Sequence, residues 1–188
     1  MPPIVERRRA VVSKPARVAR WLAASALTCA GALLIGVAKR WRGVEATLSA
    51  HAIHLATGEM AIAVPAHHLL ILYKSTSVQS IFVLTSECSV AYLLAALLIG
   101  SAPLMLLRQL SPWRTSTAVV ITGAILTLVN VARLTAIGAT VSDFGTDPGF
   151  AIAHTYLGSV LTVVGTCIAG VAFAAILVGH RSARRVVA

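Results

Sequence analysis

Long apolar runs alternate along this chain with short basic ones, and one mixed interval separates the first run from the rest. Residues 21–38, 89–107, 115–139 and 150–179 are each apolar enough and long enough to cross a hydrocarbon core of about 30 Å. Between the first two, Val44, Leu48, His51 and Leu55 recur at helical spacing, with Gly58 as a stop, which predicts a short amphipathic helix on the outer surface. The period then changes to two: Met60, Ile62 and Val64, then Leu69, Ile71 and Tyr73, then Val78, Ser80, Phe82 and Leu84, with Ser75-Thr76-Ser77 at the turn. Lys74, the hydroxyls and Gln79 keep this interval from being a fifth span. Ser111-Pro112 marks one hairpin turn, and Asp143 to Gly149 marks another on the opposite side. The expected fold is an all-α integral membrane protein. It is a bundle of about four transmembrane helices with an outer amphipathic helix and a small extracytoplasmic β element.

Composition agrees. The 188 residues are 57% hydrophobic, with a mean hydropathy of +0.85, too apolar for a domain that must keep a polar surface. The net charge of +10 is a matter of topology, not of nucleic-acid binding. Arg7, Arg8, Arg9, Lys14, Arg17 and Arg20 precede the first span, Arg108 and Arg114 lie between the second and third, and Arg181, Arg184 and Arg185 follow the fourth. These segments hold eleven Lys/Arg against Glu6; the others hold five against five acids. The positive-inside rule then makes both termini cytoplasmic, with Lys39, Arg40 and Arg42 the one dissent. Residues 1–20 read as a poorly ordered basic head that meets anionic lipid, residues 21–188 as a single membrane domain, and residues 39–88 as extracytoplasmic. Gly36 and Ala38 have the spacing of a signal-peptide cleavage site, but the long basic head favours an uncleaved anchor.

Cys29 and Cys167 fall mid-span, where a cysteine is usually a small buried hydrophobe; Cys88 lies at a boundary beside Glu87. A bridge from Cys88 to either would cross roughly half the bilayer, which disulfide geometry forbids. His51, His54, His67 and His68 lack the spacing of a structural zinc site or of a zinc protease and read as surface histidines. Asp143 and Asp147 read as solvated turn residues. No metal and no cofactor is expected.

The chemistry lies in polar residues at costly positions. Arg133 stands inside an apolar span, a functional-site hypothesis by default; His154 enters the next span, and Cys88 heads an earlier one. At about 1.5 Å per residue, Cys88 lies about 29 Å above residue 107, Arg133 about 27 Å above residue 115 and His154 about 37 Å above residue 179. All three therefore reach the outer boundary. A thiol needs a base or a positive neighbour to become a nucleophile. His154 can take its proton and return it to a leaving amine, and Arg133 can hold the thiolate and the oxyanion of an attacked amide. Asn130 shares a helical face with Arg133 and can orient it or bind substrate. Glu87 is a candidate to orient His154 or Arg133, and Gly158, one turn from His154, permits close helix approach.

Cys88 at the start of one membrane helix, Asn130-x-x-Arg133 near the outer end of a later one, and His154-x-x-x-Gly158 at the head of the next resemble, in order and spacing, the exosortase and archaeosortase transpeptidases. The resemblance covers roughly residues 80–180, and four spans make this chain a short core form. It implies a membrane cysteine protease or transpeptidase whose partners are the lipid bilayer and exported proteins. Those proteins end in a carboxy-terminal sorting signal made of a short motif, a membrane helix and a basic tail. Cleavage passes through a thioacyl enzyme, with transfer to an anchor at the cell surface. The competing expectation is a non-enzymatic assembly protein that uses the same polar residues between helices. A transport or metal-binding protein built on Cys88 and His154 lacks further ligands and midplane charges.

Overall fold

The computed structural model describes residues 14–75 and 77–179. Arg7, Arg8, Arg9, Arg181, Arg184, Arg185 and Thr76 of the expected turn lie outside the described residues. Helix α1 (Lys14–Gly36) is followed by α2 (Ala38–Thr57), strands β1 (Ala61–Val64), β2 (Leu69–Lys74) and β3 (Ser77–Val83), then α3 (Ala91–Leu107), α4 (Pro112–Phe144), α5 (Thr146–Ile152) and α6 (Gly158–Val178). A five-residue π-helical segment, Ala153–Leu157, joins α5 to α6.

Three helical stretches, Pro15–Gly36, Pro112–Phe144 and Thr146–Val178, are long and apolar enough to cross a membrane. The fourth apolar helix, Ala91–Leu107, has 17 residues and a length of about 26 Å. The chain is a helical membrane protein with one small sheet. Helix α1 lies along α3, α4 along α6, and α2 along α4, so α4 is the central post. Large apolar side chains such as Leu33, Val120, Leu128, Val163 and Val171 point outward, as they do where lipid is the solvent.

The basic head is helical from Lys14 onward, since Pro15 falls in the first turn, where proline is tolerated, and Ala16 to Arg20 are compatible with a helix. Backbone bonds run through the bend between α1 and α2: Val37 N–H reaches Leu33 O at 2.9 Å, and Trp41 N–H reaches Val37 O at 3.1 Å. Helix α2 extends beyond the expected short helix, and its packed face is the reverse of the one read from the large apolar residues. Val44, Leu48 and Leu55 are exposed, while Gly43, Glu45, Ala46, Ser49, Ala50 and Ile53 are buried. Small residues let two helix backbones approach within a membrane protein. Gly138 of α4 shows how closely they do so, since a Cβ there would sit 2.9 Å from Ile53 Cγ1.

The sheet is antiparallel, in the order β1-β2-β3. In β2 the buried residues are Leu70 and Leu72, not the expected set Leu69, Ile71 and Tyr73. Both faces of this strand are apolar, so alternation cannot fix which one turns inward. In β3, Ser80 and Leu84 of the period-two set are buried, while Val78 is exposed beyond a bulge opposite Leu72/Tyr73. The sheet packs on α2 and α4 through Leu70, Leu72, Leu84, Ala50, Ile53, Leu134 and Val141. It also caps the carboxy-terminal end of α4: Lys74 Nζ donates to Ser142 O at 2.9 Å and Gln79 Nε2 to Val141 O at 3.0 Å. Ser142 O belongs to the last turn, where carbonyls run out of partners within the helix and the dipole ends negative; Val141 O also accepts from Gly145 N–H at 2.9 Å.

The turn expected over Asp143 to Gly149 contracts to one residue. Gly145, at φ 85°, separates α4 from α5, and Asp147 and Pro148 belong to the first turn of α5. Gly149 lies against the α4 backbone so closely that a Cβ would stand 2.8 Å from Val141 Cα. Cys29 and Cys167 are exposed on α1 and α6, not packed inside the bundle.

Candidate active site

Cys88 is the last residue of a 3-10 turn, Ser86–Cys88, between β3 and α3. The turn uses up its own amides: Cys88 N–H donates to Thr85 O at 3.2 Å and Ser89 N–H to Ser86 O at 3.4 Å. Neither is available to an oxyanion. The Thr85 hydroxyl lies 3.6 Å from Cys88 Sγ, and the thiol is half-buried.

Beneath the turn stands a residue that sequence reasoning passed over. Glu45 of α2 is fully buried and takes three hydrogen bonds, from Ser89 Oγ at 2.6 Å, Val90 N–H at 3.0 Å and Asn130 Nδ2 at 2.7 Å. Val90 N–H and Ala91 N–H, which donates to Ser89 Oγ at 3.2 Å, lie at the start of α3, so this carboxylate caps α3 from a different helix. The same Asn130 amide nitrogen donates to Cys88 O at 3.0 Å. Its two hydrogens thus tie the cysteine's backbone to the buried carboxylate. The signal was present in the sequence as a small-residue face at helical spacing, Ala46, Ser49, Ala50 and Ile53, with Glu45 beside it.

His154 lies in the π-helical segment, a local widening frequent at functional sites. Its ring stacks on Phe150, with centroids 5.0 Å apart and planes at 20°, and Phe150 in turn stacks on Phe82 of β3 at 5.8 Å. A half-buried cavity of about 240 Å³ brings Cys88 and His154 together, walled by Phe82, Leu84, Leu134, Ile137 and Phe150.

Arg133 lines an adjacent cavity of about 70 Å³ with Asn130, Ser89, Val90, Thr162 and Thr166. Its Nε is buried without a hydrogen-bond partner. Gly158 leaves the space that this side chain fills, since a Cβ there would stand 3.0 Å from Arg133 Nε. Glu87 lines both cavities and is exposed, and among the described residues it makes no side-chain hydrogen bond to His154 or Arg133.

The histidines of residues 51–68 bond locally where they bond at all: His51 Nδ1 is 2.8 Å from Thr47 O, and His54 Nδ1 is 2.9 Å from Glu59 O. Among the described residues, no three His, Cys, Asp or Glu side chains converge as a metal site would require.

Residues 70–171, from β2 into α6, match the family model of the transmembrane exosortases (EpsH type), and the chain belongs to that family. The match contains Cys88, Asn130, Arg133, His154 and Gly158; Glu45 lies outside it. No curated protein and no solved structure matches the chain.

Proposed function

We propose that this exosortase is a cysteine transpeptidase that cuts the carboxy-terminal sorting signal from exported proteins and passes the remaining chain to an anchor. The observation that carries the reading is the cavity shared by Cys88 and His154, with the unbonded Nε of Arg133 in the adjacent one. In the first step His154 accepts the thiol proton, and the sulfur forms a bond to the scissile carbonyl carbon. Because the amides of Cys88 and Ser89 are committed within the turn, Arg133 is the donor suited to the oxyanion. Collapse breaks the C–N bond, and the leaving amine of the membrane-helix tail takes the proton from His154, which leaves a thioester on Cys88. An acceptor amine then attacks the thioester carbonyl carbon and gives its proton to His154; the new amide forms as the C–S bond breaks, and the departing sulfur recovers the proton from His154 as the thiol. Asn130 and Gly158 act at one remove: the first holds the Cys88 backbone, and the second makes room for Arg133.

The charge distribution supports an orientation with both termini in the cytoplasm and the sheet end, with Cys88, outside. The test is Cys88→Ala beside the parent in the native host, following exported proteins that end in a short motif, one apolar span and a basic cluster. Loss of tail removal, with the variant still present in the membrane, is the expected result. Unchanged processing would remove Cys88 from the chemistry and favour the assembly protein.

A further inference from the structure

The pairing of β3 leaves one edge open beside the nucleophile. Leu84 N–H donates to His68 O at 2.8 Å, and Phe82 pairs with Leu70 and Ser80 with Leu72, so these residues turn their amides toward β2. In an antiparallel ladder the intervening residues face the other way. Ile81 and Val83 therefore direct N–H and C=O to the free edge of the sheet, and among the described residues neither finds a partner there. At the far end the edge is closed, where Thr146 Oγ1 of α5 approaches Gln79 O at 3.5 Å. At the near end it runs through Leu84 and Thr85 into the turn that carries Cys88. Val83 and Thr85 line the cavity that holds Cys88 and His154.

We propose that this two-residue edge is the substrate-binding strand: the extended segment beside the scissile bond adds to β3 at Ile81 and Val83. The proposal deepens the transpeptidase reading and rests on it. An exposed edge is a template for any extended chain, and three features select a substrate peptide. The open length is one pleat, too short to hold a second folded sheet. The Phe82 face of the strand is already covered, since Phe82 and Phe150 stack at 5.8 Å, so what remains open there is backbone. And the strand runs directly into the turn of Cys88, with Val83 and Thr85 lining its cavity, so a chain laid on this edge is led toward the thiol. Backbone pairing supplies affinity without reading side chains, and the apolar wall of Phe82, Leu84 and Phe150 is left to discriminate among them.

Proline separates this role from a folding role. A proline on an edge strand is tolerated where its missing N–H faced away from the ladder. Val83 and Ile81 are such positions, and their side chains are 61% and 57% exposed. In the full chain, Val83→Pro should raise the KM for tail removal by about 5- to 10-fold, the scale of one lost backbone hydrogen bond. The membrane level of the chain and the rate of Cys88 alkylation by a maleimide should stay unchanged. Parent-like processing by Val83→Pro would overturn the proposal; if that variant fails to accumulate, Ile81→Pro is read in its place by the same criteria. Binding is read separately in the Cys88→Ala chain, with a benzophenone amino acid at position 83 or, on the opposite edge, at position 63. Crosslinking to a tail-bearing exported protein from position 83 alone is expected. Equal crosslinking from both, none from 83, or a product of two copies of this chain would overturn it. If Cys88→Ala still processes the tail, the enzyme reading falls, and the crosslink still decides whether the tail lies on the edge.

Discussion

Asn130 Nδ2 lies 2.7 Å from Glu45 Oε1 and 3.0 Å from the carbonyl oxygen of Cys88, so a buried carboxylate on α2 and the backbone of Cys88 share one amide group. The arrangement also quiets the start of α3. A helix amino terminus favours a nearby thiolate, but here its first donors are occupied by Glu45 and Ser89. On the proposed mechanism, activation of Cys88 is left to the side chains across the cavity.

Glu45→Ala and Glu45→Gln should differ. The alanine orphans the buried donors of Val90, Ser89 and Asn130, each at a cost of about 1–3 kcal/mol, and should lower both thermal stability and processing. The glutamine keeps one acceptor oxygen, and the Ser89 hydroxyl can rotate to accept from its new NH₂. It should retain most of the stability, which a melting curve in detergent checks for both variants.

Arg133→Lys should behave almost as badly as Arg133→Ala. A lysine lacks the planar fork of donors, and loss of an oxyanion donor costs about 10²–10³-fold in kcat. Single-turnover formation of the thioester on Cys88 is the measurement. A lysine variant within threefold of the parent, a small fraction of that loss, would argue that Arg133 supplies charge alone.

Gly158→Ala should act through Arg133. The added methyl would meet Nε at 3.0 Å and must push the guanidinium stem aside; overpacking of this kind costs about 1–3 kcal/mol. Processing should fall while Cys88 alkylation stays at the parent rate. Equal loss of both would mean that the helix pair, not the arginine, had shifted.

Phe150→Ala removes the ring between Phe82 and His154. Each aromatic contact is worth about 0.5–1.5 kcal/mol, so the fold should survive while the imidazole loses its fixed plane. The rate should drop, and Phe150→Tyr should restore it. Equal activity of the parent and both variants would show that the stack does not orient His154.

The apolar runs and the β interval were legible because spans need length and strands need alternation, and both survive in the raw pattern. The grouping of Cys88 and His154 at one cavity, with Arg133 in the next, agrees with the depth count, because residues count out depth along a helix. The inward face of α2 was not, since in lipid the large residues Val44, Leu48 and Leu55 have no cause to turn inside, and the small ones do the packing. Glu45 escaped because a single acid in a helix read as interfacial looks solvated; its burial depends on α3 and α4, 44 to 85 residues away. The loop expected over Asp143 to Gly149 was misjudged because Asp147-Pro148-Gly149 suits the start of a helix as well as a turn.

The family match begins at residue 70, and the carboxylate under the Cys88 turn is supplied from residue 45. A graft of residues 70–171 onto a foreign pair of amino-terminal helices would therefore transfer Cys88, Arg133 and His154 intact and still leave Val90 N–H, the Ser89 hydroxyl and one hydrogen of the Asn130 amide without the acceptor that Glu45 provides. In this exosortase the unit that can be exchanged among proteins is larger than the stretch that resembles its relatives, and its boundary falls before α2.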